Sequence, residues 1–344
     1  MKILEKEKIN SVLDFLAGQY DLVAPVSQDG LKFEYAQVKD SSKVNLDFTN
    51  SHESPKKLFF PQYEVLFRYY ADGRKEVPAL ETDKKRVIFG MRPCDAKALL
   101  FLDKVFDDAK YQDPYYLTKR NNTVIFTLGC VSPQSTCFCT SFDIGPFAKD
   151  GSDVFVADFG DFYSFEAVTD KGEEILKKLS GLRDAAGEHI SKYEKLSRES
   201  AAKIKRHIEL QGLAEELINK QDAPMWEQIH LKCIRCGVCS FLCPTCHCFD
   251  MIDENQGPQQ GARVRIWDSC MSCGFTQEAS GHNPRPGGRE KMRQRVMHKF
   301  SYIPQNFDTF GCVGCGRCIK NCPVRNDITK TIKKLRESES REKR

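Results

Sequence analysis

The chain has 344 residues, and its 52 basic and 48 acidic side chains leave a formal net charge of only +4. No long block of one charge sign occurs, so we expect no nucleic-acid partner. The first residues mix both charge signs, and no run approaches the ~20 apolar residues of a membrane span. We therefore expect a cytoplasmic protein without direct membrane insertion, in which the 16 cysteines bind metal or act in redox chemistry rather than form disulfides.

Residues 1–175 are predicted to form an α/β domain. The alternation of Leu31, Phe33 and Tyr35 is typical of a half-buried strand. Two apolar runs, residues 86–90 and 123–128, are predicted to be buried strands that each end close to a cysteine, and a helix is expected after the first. An earlier amphipathic helix is predicted from one apolar face, formed by Ile9, Val12, Leu13 and Leu16.

Residues 176–228 are charged and are predicted to form a helical linker. Its buried faces are expected at apolar pairs four residues apart, which are Ile204 with Ile208 and Leu213 with Leu217. Most of the cysteines follow in residues 229–330, which we expect to form a metal-binding domain. Residues 331–344 are predicted to be a polar tail, frayed from Arg336 onwards.

The pattern Cys-x2-Cys-x2-Cys-x3-Cys-Pro occurs twice with identical spacing, starting at Cys233 and at Cys312. In ferredoxins with two [4Fe-4S] clusters, the first three cysteines of such a run hold one cluster and the fourth reaches the other. We therefore expect two [4Fe-4S] clusters. The predicted ligands are Cys233, Cys236, Cys239 and Cys322 for cluster 1, and Cys312, Cys315, Cys318 and Cys243 for cluster 2.

Two other interpretations use the same cysteines. CxxC pairs also build zinc sites, although zinc has no use for eight thiolates in this interleaved order. Residues 243–247 (CPTCH) match the attachment signature of c-type haem, which would consume Cys243. The 68 residues between Cys243 and Cys312 favour an all-α, helical ferredoxin-like domain over the β-scaffold of compact ferredoxins.

Four cysteines in the α/β domain form a third candidate site. Ligands bind where the carboxyl ends of parallel strands share one edge of a sheet, and Cys94 and Cys130 follow two such strands. Together with Cys137 and Cys139 they would hold a third [4Fe-4S] cluster, with the helix N-terminus after Pro93 favouring the Cys94 thiolate. The alternatives are a nucleophilic or redox-sensing Cys94, a zinc site, and unrelated small core residues.

The remaining cysteines and a basic segment allow several interpretations. Cys246, Cys248, Cys270 and Cys273 are enough for one further metal site of unknown type, or they pack against the other clusters. Residues 281–300 hold one acid, Glu290, and many cations, which either stabilise reduced clusters and dock an acidic carrier or form a solvated helix face. The cations are Arg285, Arg289, Lys291, Arg293, Arg295 and Lys299.

Six stretches together resemble the family of iron–sulfur proteins that comprises sulfhydrogenase subunit beta and its counterpart in anaerobic sulfite reductase. They lie between about residues 60 and 325, so the resemblance covers most of the chain. The stretches are 92–95 (RPCD), 137–139 (CFC), 243–248 (CPTCHC), 267–271 (WDSCM), 281–286 (GHNPRP) and 311–318 (GCVGCGRC). Cys273 departs from the family pattern, in which Cys270 stands without this neighbour.

The resemblance implies a subunit that relays electrons between a flavin- and NAD(P)-binding partner and a catalytic partner, such as a NiFe-hydrogenase or a sirohaem sulfite reductase. Ferredoxin is a further candidate partner. The sequence contains neither GxGxxG after a strand nor GxxxxGK[ST], so we expect the chain to bind no nucleotide itself. The alternatives are an iron–sulfur redox sensor and a cluster-based reductase of sulfur or disulfides.

Overall fold

The computed structural model describes residues 1–27, 29–78 and 85–338, which form two compact units. The α/β unit comprises Met1–Phe59, Glu81–Arg206 and Val313–Cys315. The cysteine-rich unit comprises Phe60–Leu80, His207–Cys312 and Gly316–Arg344. Each unit is therefore assembled from three separate stretches, and the expected linker 176–228 is divided between them after Arg206.

The secondary structure alternates between strands and helices in the first half of the chain. The strands are β1 (Lys2–Glu5), β2 (Asp21–Val26), β3 (Glu34–Gln37), β4 (Tyr63–Tyr70), β5 (Lys75–Glu76), β6 (Arg86–Met91), β7 (Thr123–Leu128), β8 (Val154–Asp158), β9 (Phe162–Ala167), β10 (Arg183–Asp184), β11 (Phe249–Asn255) and β12 (Gln260–Trp267). The helices are α1 (Ile9–Gln19), α2 (Pro93–Phe106), α3 (Pro114–Asn121), α4 (Asp170–Leu176), α5 (Gly187–Ala202), α6 (Leu213–Asn219), α7 (Trp226–Ile229), α8 (Val238–Phe241), α9 (Gly288–Met297), α10 (Ile303–Phe307), α11 (Arg317–Lys320) and α12 (Ile328–Glu337).

An eight-stranded sheet forms the centre of the α/β unit, in the order β10-β1-β9-β8-β7-β6-β2-β3. Strands β2, β6, β7 and β8 run parallel to their neighbours within this group, and the outer pairs are antiparallel. Every residue of β7 is buried, as expected for a strand covered on both faces. The predicted α/β character of the N-terminal part is thus confirmed.

Two helices of this unit follow the sequence patterns. The four apolar residues predicted on one face of α1 are all buried, so that helix is confirmed. Helix α2 begins with Pro93, whose missing N–H and fixed φ suit the first helical position. Cys94 consequently lies in the first turn of α2, directly beyond the end of β6.

The strand expected from Leu31 to Tyr35 is only partly present. Strand β3 begins at Glu34, and Leu31 is 83% exposed. The preceding residues form a turn instead, in which the Asp29 carboxylate accepts hydrogen bonds from the N–H groups of Leu31 and Lys32, both at 2.9 Å. An Asp that bonds to nearby backbone in this way favours a turn over a strand.

The helical face expected at Ile204 and Ile208 is wrong, because α5 ends at Ala202. Ile204 packs against a buried cluster in the α/β unit, and Arg206 Nε donates to Ser135 O at 2.7 Å. These tertiary contacts outweigh the intrinsic helical preference of the segment. The other predicted pair, Leu213 and Leu217, is buried on α6.

A four-stranded antiparallel sheet belongs to the cysteine-rich unit, in the order β11-β12-β4-β5. Strands β11 and β12 lie inside residues 229–330, so the all-α expectation for this part is not confirmed. Strand β4 comes from the stretch Phe60–Leu80, which the sequence patterns had assigned to the α/β domain. This stretch therefore provides a strand for the sheet of the cysteine-rich unit.

The C-terminal segment is more ordered than its composition predicts. Helix α12 buries Ile328, Ile332 and Leu335, and Asp327 caps its N-terminus, so the polar tail predicted from residue 331 is helical as far as Glu337, two residues into the part expected to fray. Residues 339–344 of that predicted tail lie outside the described residues. Among the described residues, none of the helices has the length and apolar content needed to cross a membrane.

Candidate iron–sulfur sites

The two cysteine runs fold into two copies of the same loop. Arg235 and Gly314, each two residues after the first cysteine of its run, have φ values of 60° and 63°. Gly237 and Gly316, two residues further on, both have a φ of 75°. One-turn helices then begin at equivalent positions, α8 at Val238 and α11 at Arg317. Identical spacing has therefore produced the same backbone geometry around the first three cysteines of each run.

The four cysteines predicted to hold cluster 1 line a single cavity in the cysteine-rich unit. They are Cys233, Cys236, Cys239 and Cys322. The Asn326 N–H donates to Cys322 Sγ at 3.1 Å, and Cys236 is exposed at the cavity mouth. Apolar side chains form much of the remaining wall, among them Val238, Met271, Met292, Val296, Val324 and Ile328.

This cavity suits a [4Fe-4S] cluster by the chemistry of its walls. It offers four cysteines and a mainly apolar lining, which is the environment in which proteins hold such clusters. Cys318 also lines it, so a cysteine of the second run lies beside the first site. Arg295 is the buried cation in the wall.

The last cysteine of the first run, Cys243, is fully buried among hydrogen-bond donors. Lys299 Nζ donates to Cys243 Sγ at 3.3 Å, and Thr245 Oγ1 lies 3.1 Å from the same sulfur. Both Lys299 Nζ and Thr245 Oγ1 donate to Gly311 O at 2.7 Å. Because Gly311 precedes Cys312, these bonds tie Cys243 to the start of the second run, as a shared cluster 2 requires.

Three cations of the basic segment are buried rather than solvated. Lys291, Arg295 and Lys299 are 1%, 5% and 5% exposed, and they follow one another at intervals of four residues along α9 and the π-helical turn His298–Tyr302. Arg293, on another side of the same helix, pairs with Asp222 at 3.2 Å. The interpretation as a wholly solvated helix face is therefore wrong.

Arg295 lies among the thiols of several cysteines that are candidate cluster ligands. Burial alone would lower its pKa, but the thiols of Cys239, Cys318, Cys246 and Cys270 outweigh that effect and raise it. The Nη1 atom of Arg295 is buried and has no hydrogen-bond partner among the described residues. An unpartnered guanidinium donor beside thiols fits a site whose acceptors come from a bound sulfur-containing group.

The four cysteines predicted for cluster 3 also line one cavity, in the α/β unit. Cys94 follows β6 and Cys130 follows β7, while Cys137 and Cys139 come from the loop that follows. Arg92 Nη1 donates to the carbonyl oxygens of Leu128 and Gly129, at 3.2 and 2.7 Å, and so connects the two strand ends.

A fifth cysteine, Cys315, lies in the wall of the same cavity. Its carbonyl oxygen accepts from Cys137 Sγ at 3.7 Å, and the neighbouring Gly314 O accepts from Phe138 N at 2.8 Å. Val313–Cys315 thus completes the cavity although it is distant in sequence. This contribution was not predicted, because the spacing of the run gives no sign of which unit its middle cysteine contacts.

Burial and neighbouring thiols both disfavour the thiolate form of Cys139 in this cavity. Burial raises the pKa of Cys139 to about 12, and Cys137, Cys130 and Cys315 act on it in the same direction. Bound iron would compensate that repulsion, since metal binding displaces thiol protons. The described residues that line the cavity include no acidic side chain, so its donor set suits iron–sulfur binding.

The cysteines between the runs form pairs beside Cys243. Cys246 is hydrogen-bonded to Cys243, and Cys248 is hydrogen-bonded to Cys270, which lowers the pKa of Cys270 to about 6. Cys273 is exposed, and its carbonyl accepts from Asn283 at 3.0 Å. Within the described ranges, no three His, Cys, Asp or Glu side chains are placed to hold a single metal ion.

Comparisons with known proteins show similarity to iron–sulfur and sulfhydrogenase proteins. The family model described as "4Fe-4S dicluster domain" matches residues 232–326, which include both cysteine runs. Sulfhydrogenase 2 subunit beta from Pyrococcus furiosus is 31% identical to this chain over 306 residues, covering 89% of each protein. No solved structure shows significant similarity to the chain.

Proposed function

Because this chain belongs to the family of sulfhydrogenase beta subunits, we propose that it carries electrons through [4Fe-4S] clusters held by its own cysteines. The observation that carries the proposal is the cavity in which four cysteines from two distant runs meet. The duplicated loop geometry supports a second site of the same kind. A chain with several such sites is suited to electron transfer.

We assign three clusters to the chain. The thiolates of cluster 1 come from the first run and Cys322, those of cluster 2 from the second run and Cys243, and those of cluster 3 from the α/β unit. The complete sets are Cys233, Cys236, Cys239 and Cys322; Cys312, Cys315, Cys318 and Cys243; and Cys94, Cys130, Cys137 and Cys139. The short helices α8 and α11 carry the runs, as in helical ferredoxins. Cys246, Cys248 and Cys270 pack beside these sites.

Bound clusters supply one-electron chemistry, and the residues of the chain set its conditions. The apolar wall beside Cys239 excludes water, and the Asn326 N–H stabilises negative charge on Cys322. Exposed Cys236 brings the first site to the surface of its unit. We place electron exchange with a partner at this exposed edge.

The proposed partners are those that the family resemblance implies, and they would supply the functions for which the chain has no motif of its own. One partner is a flavin- and NAD(P)-binding subunit or ferredoxin. The other is a catalytic subunit of the NiFe-hydrogenase or sirohaem sulfite reductase type, and either of the two is the electron donor. The complex would work in the cytoplasm, where free thiols persist. Anaerobic co-purification with both kinds of subunit supports the relay, whereas sulfur or disulfide reduction by the isolated chain would contradict it.

Iron content tests the three-cluster assignment. Anaerobically purified full-length chain is expected to hold about twelve irons and as many acid-labile sulfides, because each cluster has about four of each. Cys94→Ala should lower this to about eight irons and remove one EPR signal. Cys273→Ala, which alters an exposed cysteine, should change neither.

The control also decides the status of the extra cysteines. About sixteen irons in the wild type, falling by about four in Cys273→Ala, would show a fourth cluster and refute the assignment of three. An unchanged iron content in Cys94→Ala would refute cluster 3. Neither result bears on clusters 1 and 2, which are tested by their own EPR signals.

A further inference from the structure

We infer that Arg295 and Lys299 are redox-tuning residues, two buried cations on one helical face that raise the reduction potentials of the clusters beside them. The inference rests on the proposed function, since it concerns clusters that the chain is proposed to hold. It adds a role for residues that are not ligands and that lie outside both cysteine runs.

The contacts of Lys299 indicate a fixed, fully satisfied ammonium group. An ammonium has three N–H donors, and Lys299 Nζ uses them on Cys243 Sγ at 3.3 Å, Thr245 Oγ1 at 3.1 Å and Gly311 O at 2.7 Å. The side chain is 5% exposed. Its charge is therefore held in place beside a predicted ligand of cluster 2, with little screening by water.

The main chain holds the same lysine in register with the second run. Gly311 N donates to Lys299 O at 2.8 Å. A Cβ atom on Gly311 would come within 2.5 Å of the Ile303 side-chain end and 3.1 Å of Lys299 Cα, so glycine suits this close approach. Lys299 lies in a π-helical turn, a local widening that is frequent at functional sites.

Arg295 occupies the equivalent place one turn earlier, at the cavity of cluster 1. It lines that cavity together with Cys239 and Cys318, and it is 5% exposed. Its unpartnered Nη1 donor is available to a cluster sulfide or a ligand sulfur. The two cations thus face the two sites in turn, whereas Lys291, further along the same face, donates to Pro286 O at 3.2 Å.

The physical effect follows from charge. Reduction adds one negative charge to a cluster, and a nearby buried cation stabilises the reduced form more than the oxidised form. Hydrogen bonds to ligand sulfur act in the same direction. Removing either cation should therefore make its cluster harder to reduce.

The test is an anaerobic redox titration of the full-length chain followed by EPR. Lys299→Gln and Arg295→Gln should each shift the reduction equilibrium of at least one cluster tenfold or more towards the oxidised form, which is a midpoint potential lower by about 59 mV. Lys299→Arg and Arg295→Lys retain the charge and should stay within about threefold of wild type, which is under about 30 mV.

Arg293→Gln is the matched control, because it removes the same charge from the same helix at a position that pairs with Asp222 instead of facing the cluster cavity. Its midpoints should equal those of wild type. Iron and sulfide content is measured in every variant, so that a shifted potential is read only from loaded clusters.

Each outcome has a defined meaning. Glutamine variants with full iron and wild-type midpoints would overturn the inference. If a glutamine variant loses its iron, the charge-retaining variant at the same position, Lys299→Arg or Arg295→Lys, decides. Midpoint potentials equal to those of wild type support the role of charge, and a tenfold shift refutes it. A wild-type chain without cluster signals would instead refute the proposed function, which keeps the two failures distinct.

Discussion

At the scale of single residues, two equivalent positions of the cysteine runs share a backbone conformation but differ in their surroundings. Arg235 and Gly314 both lie in the left-handed region, with φ of 60° and 63°. The Arg235 side chain is exposed, whereas a Cβ on Gly314 would lie 2.5 Å from backbone atoms of Phe138 and Cys139. The second run therefore requires glycine where the first run tolerates a side chain.

This difference gives a paired prediction. Gly314→Ala should lower thermal stability by an amount corresponding to at least about 2 kcal/mol, because it adds left-handed strain and a backbone collision. It should also weaken the EPR signal of cluster 3, since the collision displaces Cys139. Arg235→Ala adds no left-handed strain, because Arg235 already has a Cβ in that conformation, and it meets no such neighbour. Its stability should therefore stay within about 0.5 kcal/mol of wild type. Equal effects in the two variants, measured by differential scanning calorimetry, would contradict the explanation.

Cysteine spacing predicted that Cys233, Cys236, Cys239 and Cys322 lie together, because spacing constrains reach, and these four line one cavity. It did not predict that Cys315 lines the cavity of the α/β unit. The role of Lys299 could not be predicted in this way, since 56 residues separate it from Cys243. Its burial is set by folding of the whole unit. The one available signal was the four-residue interval between Lys291, Arg295 and Lys299, which places three cations on one helical face.

At the scale of secondary structure, a buried ion pair joins β4 to β12. Glu64 and Arg265 are directly opposite each other in the antiparallel register, and their side chains form a salt bridge with only 8% and 4% exposure. The Arg265 guanidinium also lies over the rings of Phe60 and Phe249, at 5.0 and 5.6 Å. This ion pair favours the pairing of β12 with β4, because pairing with another strand would leave the Arg265 charge buried without its counterion.

Removing one member of the pair should be costly, and removing both should be milder. Glu64→Gln leaves the Arg265 charge without its counterion, which should destabilise the protein by about 3 kcal/mol. The double change Glu64→Leu with Arg265→Met replaces the pair by apolar side chains and should cost less than the single change. Urea unfolding of the anaerobic protein measures both, and a double variant less stable than Glu64→Gln would disprove this account.

Predictability also differed between elements. Strand β7 was predicted with its observed limits, because a fully buried parallel strand appears in sequence as an unbroken apolar run. The prediction of a helix near Ile204 was wrong, because contacts within the α/β unit hold that segment in another conformation. The sheet of the cysteine-rich unit was missed, since β4 and β12 are almost two hundred residues apart and their register is a long-range property.

At the scale of the whole molecule, the chain passes repeatedly from one unit to the other. Phe60–Leu80 leaves the α/β unit to provide β4 and β5, and Val313–Cys315 leaves the cysteine-rich unit to complete the cluster 3 cavity. Cutting the chain in two does not therefore yield two complete units.

Cleavage at a protease site inserted between Arg206 and His207 should leave the two pieces bound to each other, because β4 stays paired with β12. The cleaved protein should keep its iron through size-exclusion chromatography. Residues 207–344 produced alone lack β4 and β5, so they should aggregate and bind less iron. Separation of the cleaved pieces, or full cluster loading of the isolated segment, would refute this prediction.

The position of Val313–Cys315 in the α/β unit also sets an order of events during biosynthesis. The thiols of Cys94, Cys130, Cys137 and Cys139 are synthesised well before Gly314 and Cys315, which close their cavity, since Cys315 follows Cys137 by 178 residues. Insertion of the proposed cluster 3 into a closed cavity would consequently have to wait for these residues. A chain interrupted before residue 313 would expose an open group of thiols to oxidation, so synthesis past Cys315 would act as a checkpoint for loading the proposed cluster 3.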